Sequence, residues 1–135
     1  MSDRLGFLLG RAHMAHREIA AAALAPLDLG PRQFGALSVL ADEGPLSQQR
    51  LGERTGVDRT TMVALVDGLE RGGLVERERD LEDRRAYALR ATPRGRRVLE
   101  RAAAAVERAE AEFLARLSAQ DARRLKQILR TLIAR

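Results

Sequence analysis

The sequence contains no cysteine. Disulfide bonds, thiolate metal ligands and redox sensing through a reactive thiol are therefore excluded. Histidine is scarce as well, with only His13 and His16, and no combination of residues resembles a nucleophile, a base and an acid that act together. Glycine-rich phosphate loops and metal-hydrolase motifs are also missing. We therefore expect that the protein is not an enzyme.

Long apolar runs are missing too. None approaches the roughly 20 residues that a membrane-spanning helix requires. The N-terminal segment is interrupted by Arg4, Arg11 and Arg17, so it lacks the apolar stretch of a signal peptide. We expect a cytoplasmic protein that has no membrane partner.

Lysine is almost absent, because Lys126 is the only one among 24 basic residues. Codon bias in a GC-rich genome is an alternative explanation for the number of arginines, so their clustering is more informative than their number. The segment 84–97 holds six arginines and no acid, in a chain of net charge +5. Arginine binds phosphates and guanine edges through paired hydrogen bonds. This segment therefore favours a polyanion as partner.

The chain of 135 residues has the length of one domain. Its hydrophobic periodicity predicts helices at 4–25, 31–41, 48–54, 59–71 and 93–117, a last helix that follows Ser118, and strands at 74–78 and 85–91. Ser47, Asp58, Thr92 and Ser118 have the chemistry of helix N-caps.

Two of these predicted helices are short and are joined by a turn that contains Gly56, which is typical of a helix-turn-helix. The two strands follow as a hairpin whose inward side chains are Tyr87, Leu89 and Ala91. The order predicts a mainly α fold with a small β-hairpin wing, which is a winged helix-turn-helix flanked by further N- and C-terminal helices.

The flanking helices carry more apolar surface than one small domain is expected to bury. A symmetric dimer that packs these helices together would cover it, whereas the alternative is an ordinary core within one chain. The expected dimerisation residues are Leu5, Leu8, Leu9, Leu125, Ile128, Leu129 and Leu132.

Candidate DNA contacts fall in three places. On the helix at 59–71, the face opposite its apolar stripe offers small side chains to bases and an arginine to guanine or the backbone. The start of the preceding helix can hold a phosphate, and an arginine at the hairpin tip can enter a minor groove. These candidates are Arg59, Thr60, Val63, Ala64, Ser47, Gln48, Gln49, Arg84 and Arg85, with Asp83 pairing to hold the tip. The alternatives are a solvated helix face, plain N-capping by Ser47 and an exposed, salt-bridged turn.

Several segments carry a family resemblance. The runs 46–56, 60–70 and 73–77 resemble the MarR family of bacterial transcription regulators. The stretch 82–95 is similar to that family's wing signature, an Asp-x-Arg that leads to a Leu-Thr-x-x-Gly. Asp83 and Arg85 match the signature's Asp and Arg, and the base-facing part of the recognition helix is matched by Thr60, Thr61, Val63 and Ala64.

The resemblance implies a homodimer that binds a palindromic operator in double-stranded DNA, represses transcription and is released by a small ligand. It implies a single domain over 1–135, with dimerisation helices at 1–28 and 98–135 and the winged helix-turn-helix at 31–97. The sequence departs from the family at Ala64, where many members have arginine, at Gly52, where alanine is usual, and at Ala91, where the signature has leucine.

The resemblance also places an effector pocket between the dimerisation helices and the winged-helix lobe. By position, its candidate residues are His13, Arg17, Phe34 and Met62, which suit an aromatic carboxylate or a phenol. The alternative places Phe34 and Met62 in the core and both histidines on the surface. His13 and His16 have a spacing that can bind a metal, but two ligands are too few for a site, so we expect no metal or cofactor.

Two other functions are compatible with the residues. A winged-helix module could bind a protein and no specific DNA. An architectural protein could coat any duplex, with binding that depends steeply on salt.

Overall fold

A computed structural model describes residues 2–79 and 87–134. The helices are α1 (Leu5–Leu24), α2 (Pro31–Glu43), α3 (Gln48–Thr55), α4 (Arg59–Arg71), α5 (Pro93–Phe113) and α6 (Ala119–Ile133). A short 3₁₀ turn over Ala25–Leu27 follows α1, and the strands are β1 (Leu46–Ser47), β2 (Val75–Arg79) and β3 (Tyr87–Ala91). The predicted mainly α fold with a small β wing is confirmed.

The sheet has three antiparallel strands in the order β1-β3-β2, rather than the two that the sequence predicted. The strand that was missed, β1, pairs Leu46 with Leu89 just before α3 begins. Leu89 and Ala91 are buried as predicted, but the prediction that Tyr87 points inward is wrong, since Tyr87 is 56% exposed. It lies opposite Arg79 at the far end of β3, beyond the reach of the core.

The core lies beneath the helix-turn-helix and the base of the wing. Its fully buried side chains come from the end of α1, from α2, α3 and α4, and from β3; the largest are Leu24, Leu37, Leu40, Leu51, Met62, Leu69, Leu89 and Val66. The middle of α5 joins this core through Ala102 and Val106. Burial of this aliphatic surface is what fixes α4 against the rest of the domain.

The flanking helices are largely uncovered. α1 packs along α5, yet Leu5, Leu8 and Leu9 in its first half are exposed. In α6, the stripe at Leu125, Ile128, Leu129, Leu132 and Ile133 is exposed, and the helix has no buried residue. The predicted dimerisation residues are thus apolar side chains that the described part of one chain leaves in solvent.

Helix ends follow local chemistry. Pro31 begins α2, and the side chain of Gln33 accepts a hydrogen bond from the Gly30 N–H at 2.9 Å. The predicted end of α5 at Leu117 is wrong, because the helix stops at Phe113 and a short turn leads to Ser118, which caps α6.

None of the helices in the described ranges is long and apolar enough to cross a membrane.

Candidate nucleic-acid interface

The first turns of α4 present small side chains to solvent. Asp58 caps the helix by accepting hydrogen bonds from the N–H of Thr61 at 2.9 Å and from its hydroxyl at 2.8 Å. Thr60, Val63 and Ala64 are exposed, and Val63 is 43% exposed although it is aliphatic. The opposite face of α4 is buried, so the exposed face has a fixed orientation, with Thr61 half-buried at its edge.

The cap formed by Asp58 depends on the charge of its carboxylate as well as on its hydrogen-bond geometry. The backbone N–H of Thr61, followed by its hydroxyl, lowers the pKa of Asp58 below its ordinary value of 3.8. A carboxylate with a lowered pKa stabilises the fold fully above its unfolded-state pKa, and this contribution is lost as pH falls through the lowered value. Asp58 is therefore charged and capping at neutral pH.

Helix α3 lies close to the turn that joins it to α4. Ser47 caps α3 by accepting from the Arg50 N–H at 3.1 Å, while Gln48 is half-buried and Gln49 is exposed beside it. At Gly52, a Cβ would lie 3.3 Å from the carbonyl oxygen of Val57. Glycine in place of the family's alanine therefore lets the turn approach α3 closely.

The wing is tied to α4 by an arginine that the sequence did not single out. Arg77 on β2 donates to Glu70 at 3.0 Å and to Asp67 at 3.3 Å, and both acids belong to α4. An isolated exposed ion pair contributes little, but one guanidinium that joins two carboxylates of another element restricts its orientation. Pairs separated by 7 and 10 residues give no local sequence signal.

The arginine-rich segment 84–97 divides into different environments. Asp83, Arg84 and Arg85 lie outside the described residues, so their predicted roles stay predictions. Arg90 on β3 donates to Glu76 at 3.0 Å and lies 2.9 Å from Glu78. Its charge is thus balanced by two neighbouring acids, whereas Arg97 and Arg94 begin α5 as exposed residues.

Three of the four predicted pocket residues line one cleft. His13 and Arg17 of α1 and Phe34 of α2 border a space of about 450 Å³ that is closed on another side by the turn Gly56–Asp58. Met62 lies elsewhere: it is buried in the core at 1% exposure, because it belongs to the apolar stripe of α4. It borders a second cleft, between α3 and α4.

The ring of His16 contacts two side chains of α5. Its Nε2 lies 2.7 Å from Glu110 Oε2, and its ring packs edge-on against Phe113, with ring centres 6.1 Å apart. Both partners belong to α5. His16 therefore links α1 to α5 at the margin of the first cleft.

The sequence and the fold of this chain are similar to those of known proteins. A model of the MarR family matches residues 27–86. A Thauera aromatica protein, whose name assigns it to regulation of the hcr operon, is 39% identical over 87% of this chain and 72% of its own length. An HTH-type transcriptional repressor of Mycobacterium tuberculosis is 35% identical over 95% of this chain and 92% of its own. This chain belongs to the MarR family.

Solved structures of MarR family members have the same fold. A Mycobacterium tuberculosis MarR family protein in complex with salicylic acid is 35% identical, with a TM-score of 0.82 over 97% of each chain. A mutant Escherichia coli MarR in complex with operator DNA is 23% identical, with a TM-score of 0.85 over 96% of this chain and 93% of that one. At that identity, the second likeness concerns the fold alone.

Proposed function

We propose that this MarR family member is a dimeric repressor that binds a palindromic operator in double-stranded DNA and is released by a small aromatic acid or phenol. The observation that carries the proposal is the exposed, rigidly held start of α4, where Thr60, Val63 and Ala64 face solvent. A recognition helix meets base edges with its N-terminal residues, and small apolar groups contact thymine methyls. Such a role requires no catalytic step and places the protein in the cytoplasm with the DNA.

The supporting contacts surround this helix. Arg59 and Thr61 lie at its first turn, and Ser47, Gln48 and Gln49 lie at the start of α3, where we expect them to hold a phosphate. We assign the lobe at 31–97 to DNA binding and the helices at 1–28 and 98–135 to dimerisation, with α5 crossing the second boundary. Dimerisation would pair two copies of α4 for the two halves of a palindrome.

The effector proposal rests on the first cleft. Arg17 and His13 can bind a carboxylate or a phenolate, and Phe34 offers an aromatic wall. A relative that is 35% identical has been crystallised in complex with salicylic acid. This cleft lies beside the helix-turn-helix, so its occupant would contact the element that reads DNA.

Val63→Ala tests the base-reading face. Loss of two methylene-sized groups from a contact with bases is expected to weaken binding to the preferred duplex by about 1–2 kcal/mol. Binding to a scrambled duplex should stay unchanged, since that affinity comes mainly from phosphates. Fluorescence anisotropy titrations on both duplexes measure this. An equal loss on both would remove Val63 from base recognition.

Arg85→Ala tests the wing. It is expected to weaken operator binding by about 1–3 kcal/mol if Arg85 contacts a base, or to reduce the salt slope by about one if it contacts a phosphate. Arg123→Ala on α6 removes the same charge from an exposed position outside the winged-helix lobe. Titrations at several salt concentrations in which both variants behave like the wild type would exclude Arg85 from the interface.

The two other functions predict different titrations. A protein that coats DNA would bind the preferred and the scrambled duplex alike, with a steep salt dependence. A protein-interaction module would bind neither. A specific regulator is expected to prefer its operator by a factor of about 10³ or more.

A further inference from the structure

The turn between α3 and α4 is a wall shared by two clefts. Gly56, Val57 and Asp58 border the first cleft, together with α1 and α2, and they also border the second cleft, which lies between α3 and α4. The second cleft is lined further by Gln48, Gln49 and Arg59, all of them proposed DNA contacts. A molecule in the first cleft would therefore lie against the residue that begins the DNA-reading helix.

Asp58 is the charged member of this shared wall. Both of its carboxylate oxygens are used by the first turn of α4, one by the Thr61 N–H and the other by the Thr61 hydroxyl. An N-cap of this kind satisfies backbone N–H groups that otherwise lack a partner within the helix. The order of this turn, which carries Thr60 and Thr61, thus depends on where the Asp58 carboxylate points.

The first cleft carries basic side chains as well as apolar ones such as Phe34. Arg17, Arg32 and His13 border it, whereas the ring of His16 is engaged by Glu110. The attraction of Arg32 contributes to the low pKa of Asp58, after the larger effect of the hydrogen bonds from Thr61. An anion drawn in by Arg17 and Arg32 would place a second negative charge near the Asp58 carboxylate.

We propose that Asp58 couples the effector cleft to DNA binding. An aromatic carboxylate held beside Arg32 would repel the Asp58 carboxylate and weaken its hydrogen bonds to Thr61. The first turn of α4 would then lose its fixed geometry, and operator affinity would fall. This inference rests on the proposed function. It identifies Asp58 as the residue through which ligand binding would lower the affinity for the operator.

The test uses salicylate as the probe and compares Asp58→Asn with the wild type. Asparagine and serine both cap helices without a charge. Asp42→Asn, at an exposed position near the end of α2 that borders neither cleft, is the control. Operator affinity is measured by anisotropy with and without saturating salicylate, and the readout is the ratio of the two affinities. Within each variant, this ratio is independent of any change in basal operator affinity.

Salicylate is expected to weaken operator binding by about tenfold in the wild type and in Asp42→Asn, a coupling of ordinary size. In Asp58→Asn the ratio should fall to about twofold or less, and Asp58→Ser should repeat this result. Calorimetry on the free protein should show that Asp58→Asn still binds salicylate, at least as tightly as the wild type. A structural role alone would change basal affinity and leave the ratio intact.

Two results would overturn the coupling role. One is an undiminished ratio in both Asp58→Asn and Asp58→Ser. The other is a wild type that binds its operator but whose operator affinity does not respond to salicylate. In both cases the proposed DNA-binding function stands. A wild type that prefers no duplex would instead contradict the proposed function itself.

Discussion

Ile128→Asp combined with Leu132→Asp is expected to convert the dimer to a monomer and to lower operator affinity more than about 100-fold, because a monomer engages one half-site only. The two side chains are 57% and 62% exposed in one chain, so their loss leaves the core of the protomer intact. In a two-fold interface each is buried twice. Full burial of such a side chain stabilises by about 1.5–3 kcal/mol, and about three fifths of each is left to be buried on association, so four such losses weaken association by roughly 4–7 kcal/mol.

A charge-matched control separates dimerisation from electrostatics. Gln120→Asp with Gln127→Asp adds the same two negative charges to the polar side of α6, which is lined by Arg123, Arg124 and Arg130. Sedimentation velocity at micromolar concentration should show a dimer for the wild type and this control, and a monomer for the double variant of the apolar stripe. A wild type that sediments as a monomer would refute the dimer.

Gly95→Ala is expected to destabilise the fold by at least about 3 kcal/mol, at the upper end of the usual cost of overpacking. A Cβ at this position would lie 2.1 Å from the carbonyl oxygen of Leu74. That carbonyl cannot move freely, since it accepts the Thr92 N–H at 3.0 Å, while the Thr92 hydroxyl is bound to the Gly73 carbonyl at 2.6 Å. An alanine would push the start of α5 away from the base of the wing.

Gly35→Ala provides the matched comparison. A Cβ there meets nothing within 4 Å, and the residue lies inside α2. Alanine is favoured over glycine by about 0.5–1 kcal/mol in a helix interior, so this variant should be as stable as the wild type or more stable. Urea denaturation followed by circular dichroism measures both. An unchanged urea midpoint for Gly95→Ala would contradict this prediction. It would show that the backbone at Leu74 can shift away from the added methyl group with little loss of stability.

The clash at Gly95 also gives a physical reason for one part of the wing signature. The Thr-x-x-Gly of the family is Thr92 to Gly95 here. Thr92 caps α5 by accepting from the Gly95 N–H at 3.0 Å, and Gly95 leaves room for the Leu74 carbonyl. The threonine of the motif therefore caps α5, and its glycine allows the backbone of Leu74 to lie close to the start of that helix.

Features that depend on neighbouring residues were predictable from the sequence. The side chains of Ser47, Asp58, Thr92 and Ser118 all cap helices as expected, because an N-cap involves residues three apart. Strand β1 was not predicted, since two residues carry no periodicity and their pairing with β3 joins positions more than 40 apart. The exposure of Tyr87 likewise depends on where the core ends and not on alternation along β3.

The candidate site was predictable to a similar degree. The resemblance placed His13, Arg17, Phe34 and Met62 near one pocket. The structure brings the first three to one cleft and buries Met62 in the core. The sequence identified Asp58 only as a cap, because its position between two clefts depends on the packing of α1 and α2 against the turn. The hydrogen bonds from Arg77 to α4 depend on how the wing packs against that helix. No rule on the spacing of residues in the sequence predicts this packing.

Selection from a pool of random DNA duplexes tests the central claim most directly. The 135-residue chain, immobilised and washed at physiological salt, should enrich a palindrome whose half-site centres are about 10 base pairs apart, one helical turn. Addition of salicylate should then elute the enriched pool. Repeated rounds that retain duplexes with no common sequence, or retain none, would contradict the account of this protein as an operator-binding regulator.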